Sequence, residues 1–288
     1  MKILVLGVSG MLGSTVFKEL NKIFGPEVYG TVREPNASKY HLKNLENRVR
    51  CNILVENIDS IIAVLDELEP KIIINCIGII NKYEKSRDPL VAIPVNSIFP
   101  HLLAKICKAR NIKLIQPSTD CVFSGKKGGY TEDDVSDAKD LYGKSKSLGE
   151  ISDHENVLTL RTSLIGHEIL TKNELLEWFL SQTTEVKGYT NAIFSGLTTL
   201  QFSRVISATI SDNASLYGIY NVSSAPISKF ELLKLIARVY KKNIIIIPDG
   251  ELKIDRSLDS SLFSSETGYK RMNWEDQIND LYENNKYG

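Results

Sequence analysis

Tyr142 and Lys146 stand four residues apart, downstream of a hydroxyl pair, Ser118-Thr119, that closes the apolar run Lys113-Leu114-Ile115-Gln116. On a helix, residues i and i+4 share a face with β-carbons roughly 6 Å apart. A phenol beside an ammonium is a proton donor whose ionised form gains from the neighbouring positive charge. With the Thr119 hydroxyl presented from a strand end, two donors could hold one carbonyl oxygen. That arrangement suits reduction of a ketone by hydride.

The spacing alone is weak. Tyr282 and Lys286 repeat it in a polar tail with no strand or hydroxyl pair before them, as chance allows. Taken alone, Tyr142 and Lys146 would be an exposed helix pair worth a few tenths of a kcal/mol. What raises them above that level is the rest of the chain.

Ile3 to Leu6 is a continuous apolar run, as expected of a central parallel strand buried on both faces. It leads directly into Gly7-Val8-Ser9-Gly10-Met11-Leu12-Gly13, and a helical pattern follows through Val16, Phe17, Leu20, Ile23 and Phe24. Side-chain-free positions let backbone approach a pyrophosphate, and the helix N-terminus offers free N–H groups and a positive dipole end. Val28 to Arg33 predicts the second strand. A cofactor with a free ribose 2′-hydroxyl would want an acid near its end. Arg33 stands there, ahead of Glu34, so a 2′-phosphate and hence NADP(H) is favoured, with NAD(H) left open should Arg33 be only a surface charge.

Arg48 to Ile53 predicts a third strand whose end offers Asn52 and Ile53 to an adenine edge. A helix is expected over Asn57 to Leu68, and a strand over Lys71 to Ile77 whose tip, Cys76-Ile77-Gly78, a cofactor can cross. Pro89 to Ala109 is helical in pattern, its regular part expected to begin near Val95 because of Pro94. Asn96, just inside it, is either a buried polar link to the site or an early-turn hydrogen bonder. A sixth strand spans 156–165. Alternating β and α elements imply an α/β doubly wound parallel sheet with right-handed crossovers. Ligands of such sheets bind at the carboxyl ends of the strands, where the glycine turn, Arg33, Gly78 and Thr119 all fall.

Beyond residue 163 the rhythm loosens. Helices are expected over 175–180, 199–210 and 228–240, and strands over 217–222 and 243–247, with Ile244 to Ile247 a buried strand. The division is 1–163 for a dinucleotide-binding domain and 164–288 for a smaller α/β substrate lobe, some elements of which can return to the sheet. Trp178 and Phe179 suit core or lobe-interface positions better than base stacking.

Composition narrows the partners. The 288 residues carry 35 basic and 35 acidic side chains, with 42% hydrophobic and 24% charged residues. The balance gives nucleic acid or an anionic membrane no reason to bind. No run of about 18 apolar residues stands out as a membrane span, and the apolar start breaks at Gly7 and Ser9 with no cleavage site. Cys51, Cys76, Cys107 and Cys121 are widely spaced, as are His41, His101, His154 and His167. Buried thiols in a reducing cytoplasm are the simpler reading, and no metal site is expected.

With these residues in view, the chain resembles the extended short-chain dehydrogenase/reductases, and among them the dTDP-4-dehydrorhamnose reductase family of sugar-nucleotide-binding proteins. The matching motifs are Gly7-x-x-Gly10-x-x-Gly13, Asn75-Cys76, Val95-Asn96, Ser118-Thr119-Asp120-x-Val122-Phe123-x-Gly125, Tyr130-x-Glu132, Tyr142-Gly143-x-Ser145-Lys146-x-x-Gly149-Glu150 and Leu160-Arg161-Thr162-Ser163. The resemblance implies an NAD(P)-binding Rossmann fold and a C-terminal lobe gripping a nucleotide-diphosphate sugar. It implies Thr119, Tyr142 and Lys146 as hydroxyl, acid and lysine, with Lys146 lowering the phenol pKa and holding the nicotinamide ribose. Surface-polysaccharide precursor synthesis is the implied setting, and a homodimer is left open.

Two departures bear on the substrate: Cys121 where the family has Tyr, and Leu164 where it has an aromatic residue. They leave sugar and base undecided, a UDP-linked N-acetylated 6-deoxy sugar included. Lys187 and Arg256 are candidates for the substrate pyrophosphate. Asp120 either orients substrate or, as the simpler choice, caps a turn. A 4,6-dehydratase would need a second acid where Cys121 stands, and an epimerase would favour an acid near Arg33. A non-catalytic, cofactor-binding regulatory subunit is the remaining alternative, against which the intact Thr119, Tyr142 and Lys146 weigh.

Overall fold

The computed structural model describes residues 1–34, 44–80, 87–169 and 172–286. His41 lies outside the described residues. The apolar runs become strands: β1 (Ile3–Leu6), β2 (Val28–Thr31), β3 (Val49–Arg50), β4 (Ile72–Asn75), β5 (Lys113–Thr119) and β6 (Val157–Thr162). With Gly218–Asn221, labelled β11 after β7–β10 below, they form one sheet, in the order β11-β6-β5-β4-β1-β2-β3. Every pairing within it is parallel.

β1 and β4 are buried at all positions because helices cover both faces. Ile3 and Val5 pack with Val16, Phe17 and Leu20 of α1 (Met11–Phe24) and with Phe202, Ile206 and Ile210 of the helix Thr199–Asp212. Leu4 and Leu6 point the other way, to Ile61, Leu65, Phe99 and Leu103 of the helices Ile58–Leu68 and Phe99–Ala109. The order in which strands are added reverses between β1 and β4, with β2 and β3 on one side and β4, β5 and β6 on the other, which opens a crevice at their carboxyl ends.

The helix Pro89–Ala109 begins six residues earlier than Pro94 suggests. Asp88 caps it, its carboxylate accepting the Leu90 N–H at 2.9 Å. Pro94 is carried inside by a π turn over Pro94–Ile98, which widens the backbone where the ring would otherwise strike the preceding turn. An 18-residue window of this helix has mean hydropathy 1.5, so by length and composition it passes as a membrane span, against the sequence expectation. Half of that window is buried inside the protein, the signature of a core helix.

Past β6 the chain forms smaller sheets. β7 (Leu164–Ile165) leaves the large sheet after Ser163 and pairs with β10 (Leu197–Thr198), so the expected sixth strand is two strands. β8 (Glu185–Tyr189) pairs with β13 (Ile245–Asp249). β9 (Ala192–Phe194) lies between β12 (Ile227–Ser228) and β14 (Ile254–Asp255). Leu176, Phe179, Leu232, Ile236, Trp274 and Ile278 close a separate core there, contributed by the helices Leu175–Ser181, Lys229–Val239 and Trp274–Lys286. Two pieces of this half, β11 and the helix Thr199–Asp212, belong instead to the large sheet and its helical cover.

Several local expectations change. β3 keeps only Val49 and Arg50, because Asn52 turns into the left-handed region at φ 61°. The Ile244 to Ile247 run is covered on one side only: Ile244 and Ile246 face the core, while Ile245 is 65% exposed. A two-stranded ribbon has one face to bury, not two. Phe179 is core, but Trp178 is 37% exposed. Of the four thiols, all free, only Cys107 is fully buried. Tyr282 packs edge-on against Tyr240, far from any strand tip in function.

Candidate active site

The turn after β1 is built for close approach. Gly7 has φ 81°, and a β-carbon there would meet Ile77 at 2.9 Å, so the glycine turn lies against the tip of β4. A β-carbon on Gly13 would sit 2.2 Å from the Gly7 carbonyl oxygen, so helix and turn close only because that atom is missing. The Gly7 N–H donates to the Thr31 hydroxyl at 3.2 Å, which fixes the turn to β2. Thr31 was hidden in the sequence as an ordinary strand residue. Gly10 caps α1 with no side-chain bond to the first turn and no acid within it. The leading N–H groups of α1 are therefore available to an anion, and the cradle fits a dinucleotide pyrophosphate. Ser9, Met11 and Leu12 line it half-exposed.

The neighbouring positions follow. Arg33 is exposed just past the end of β2, and Asn52 and Ile53 follow β3, with Ile53 N–H held by the Val32 carbonyl at 3.2 Å. Cys76, Ile77 and Gly78 continue β4 into the crevice, half-buried to exposed. Asn96 proves to be the buried link: its amide accepts from Ile79 N–H and donates to Ile79 O, both at 2.9 Å, and donates to Ser145 Oγ at 3.1 Å. Ser145 Oγ in turn donates to the Tyr142 carbonyl. The segment after β4 is thus tied to the helix that carries Tyr142.

That helix, Leu141–Leu148, is capped by the Asp140 carboxylate, which accepts the Gly143 N–H at 2.9 Å. Gly143 lets it press on the loop after β5, since a β-carbon would lie 2.2 Å from the Cys121 carbonyl oxygen. This contact sets the Tyr142 phenol against the strand end that carries Thr119, with Asp120 and Cys121 as neighbours. Lys146 donates to the Pro117 carbonyl at 3.0 Å. Strand end, phenol and amine converge on one compartment.

The electrostatics correct one expectation. Burial holds the Tyr142 phenol well above its ordinary value, with Cys121, Asp120 and Glu174 adding and only the Thr119 hydrogen bond opposing. The expected lowering by Lys146 is not what sets this group. Lys146 is itself pulled down by burial, against the opposing pull of Glu150 and Cys76.

Asp120 is not the cap of the turn after β5. Thr119 takes that part, its hydroxyl accepting the Cys121 N–H at 3.1 Å. The Asp120 carboxylate is buried and accepts from the Thr119 hydroxyl at 3.2 Å. Burial raises its pKa, and the charges of Arg256 and Lys229 work the other way. Arg256 reaches this loop from beyond β14, donating to the Phe123 carbonyl at 2.9 Å and to Cys121 Sγ at 3.5 Å. Lys229, which sequence reasoning missed, sits over the Phe194 ring at 4.0 Å, at the start of a serine-capped helix. Glu174, also missed, opens the helix Leu175–Ser181. Both come from lobe segments with no motif spacing to the strand tips. Lys187 behaves differently: 66% exposed on β8, it pairs with Asp249 at 3.0 Å and not with these residues.

The loop between β5 and Tyr142 is pinned by Tyr130, which stacks on Phe123 with centroids 4.2 Å apart and accepts the Gly125 and Lys127 N–H groups. Its backbone joins Ser257 and Asp259, which fastens the β14 segment across the cleft. Among the described residues no group of three or more His, Cys, Asp or Glu side chains could hold a metal ion.

The pattern of the RmlD substrate binding domain matches residues 1–285. The chain belongs to that family. A probable low-salt glycan biosynthesis reductase of Haloferax volcanii is 32% identical over 168 residues, 56% of this chain and 52% of that protein. The methionine adenosyltransferase 2 subunit beta of Danio rerio is 33% identical over 151 residues, 52% of this chain and 42% of its own. The chain spans about half the length of the curated relatives it matches. Among solved structures, dTDP-4-dehydrorhamnose reductase of Bacillus anthracis in complex with NADP superposes with a TM-score of 0.80 at 22% identity, covering 99% of this chain and 100% of that one. This likeness fixes the fold of the RmlD family member: a Rossmann-type sheet extended by a lobe over its carboxyl edge.

Proposed function

We propose that this RmlD-family chain is an NADPH-dependent reductase of a nucleotide-linked 4-keto-6-deoxy sugar. The observation that carries the proposal is that the helix bearing Tyr142 is tied to the strand end bearing Thr119, Lys146 donating to the Pro117 carbonyl at 3.0 Å, beside the glycine turn at the switch point of the sheet. The names of its relatives, a glycan biosynthesis reductase and a dTDP-4-dehydrorhamnose reductase holding NADP, support the same reading.

Gly7, Ser9, Gly10, Met11, Leu12 and Gly13 would cradle the pyrophosphate, Arg33 the 2′-phosphate, Asn52 and Ile53 the adenine, and Cys76, Ile77, Gly78 and Asn96 the central part. Tyr142 and Lys146 would hold the nicotinamide ribose. Bound there, a reduced nicotinamide supplies hydride to a ketone carbon. Tyr142 donates its proton as negative charge builds on the ketone oxygen, and Thr119 steadies that oxygen with a hydrogen bond. Arg256, with Lys229 beside it, offers positive charge to a diphosphate entering between sheet and lobe. Lys187 drops out of this set because of its pairing with Asp249. A cytoplasmic setting suits four free thiols.

The test is a panel of dTDP- and UDP-linked 4-keto-6-deoxyhexoses with NADPH, followed at the nicotinamide absorbance band. Loss of absorbance in step with product supports a reductase. Product without net loss means an epimerase, and tight cofactor binding with no turnover means a regulatory subunit.

A further inference from the structure

Behind the strand end that carries Thr119 lies an ion pair that the reaction does not touch. Glu150 and Arg161 are each 5% exposed, and the guanidinium grips the carboxylate through Nε and Nη2, both at 2.8 Å. Ser118 donates to the same carboxylate at 2.6 Å. Arg161 lies over the Phe123 ring at 5.2 Å, and its Nη1 is buried with no hydrogen-bond partner among the described residues. Gly149 permits the placement, since a β-carbon there would strike the Asn96 carbonyl oxygen at 1.9 Å.

Stability gives a poor reason for this pair. Apolar side chains of similar volume commonly fill such a site as well or better, and the bare Nη1 shows that the polar groups are not fully satisfied. Its position gives a better one. Ser118, bonded to Glu150, lies between Pro117, whose carbonyl takes the Lys146 ammonium, and Thr119, whose hydroxyl meets Tyr142. Glu150 also follows Lys146 by four residues, just beyond the last turn of the same helix. One carboxylate therefore touches the strand end and belongs to the segment that continues the Lys146 helix.

We propose that Glu150, held by Arg161, is a positioning residue that sets the register of Ser118-Thr119, and of the Pro117 carbonyl that takes Lys146, against Tyr142. The groups facing Lys146 are Glu150 and Cys76, with Tyr142 one turn back on its own helix. Burial works to strip the proton from Lys146, and Glu150 opposes it. Without that carboxylate Lys146 becomes neutral at a lower pH and loses its grip as a cation. The inference rests on the proposed function only for the meaning of that charge, which is to hold a cofactor ribose beside Tyr142.

The experiment compares the full chain with Glu150→Gln and with Glu150→Gln/Arg161→Met, the second removing the charge that the first would strand. NADPH binding is followed by fluorescence from pH 6 to 10, alongside turnover where a substrate is in hand. The expected result is that the basic limb of binding, and of kcat, moves to lower pH by about one unit in Glu150→Gln, where Arg161 is left unpaired, and by less in the double variant, with binding regained on acidification. A purely architectural pair would lower binding or melting temperature equally at every pH. Limbs that superimpose on the parent's overturn the proposal, as does a double variant that cannot fold. Binding is read without any sugar, so failure of the reductase assay leaves this outcome distinct.

Discussion

Lys146 donates to the carbonyl of Pro117 at 3.0 Å, and so ties the helix bearing Tyr142 to the strand ending in Thr119. The two proton-active hydroxyls are held together by their neighbours more than by each other. Removing the Tyr142 hydroxyl should therefore damage chemistry and leave the scaffold standing.

Tyr142→Phe deletes the acid while its ring still fills the half-buried site. We expect NADPH to bind within a few-fold of the parent, and kcat to fall by about 10²–10⁴. Full activity in this variant would remove Tyr142 from its role.

Thr119 has two tasks, because its hydroxyl also accepts the Cys121 N–H. Thr119→Ser should retain most activity. Thr119→Val should lower kcat by about 10²–10³ through loss of the oxygen-stabilising bond, and should lower the melting temperature as well, since the turn over Asp120–Val122 loses its cap. Paired kinetic and thermal measurements separate the two effects.

Gly13→Ala places a methyl group where only 2.2 Å separates it from the Gly7 carbonyl oxygen. The turn must move, at a cost of about 1–3 kcal/mol, and a calorimetric titration should find NADPH affinity lost with it. Gly10→Ala is the control: the nearest atom to its added carbon is 3.5 Å away, so stability should change little.

Asp120→Asn should stabilise the empty protein at neutral pH. Burial raises the folded-state pKa of Asp120 above its unfolded value near 3.9. Ionising the group thus opposes folding: the cost is absent below the unfolded pKa and complete above the folded one. Melting curves should show the variant ahead of the parent at pH 7, with the gap closing as pH falls towards 4. A gap that widens in acid would contradict the sign.

Much of this was legible in the sequence. The continuous runs at Ile3 and Ile72 gave the buried strands because a sheet covered on both faces needs no alternation, and three glycines after the first of them carried the turn. Thr119, Tyr142 and Lys146 could be joined because a strand end and a helix start are close in the chain. Other partners were opaque. Lys229 reaches the cleft from a lobe segment whose packing has no period or motif to read, and Lys187 looked as good as Arg256 until its pairing with Asp249 was seen. Pro94 misled, because a π turn can carry a proline that a regular helix would reject. The direction of the Tyr142 shift also escaped, since burial outweighs a cation one turn away and burial is a tertiary fact.

The central claim is that this chain moves hydride from a nicotinamide to a sugar ketone under the Tyr142 phenol. The most direct measurement uses NADPH deuterated at the transferable position, with a 4-keto-6-deoxyhexose nucleotide, and reads the product by mass and proton NMR. One deuterium per product is expected, at the former ketone carbon, with one oxidised cofactor for each. Product formed without deuterium at that carbon, or with the cofactor still reduced, would contradict it.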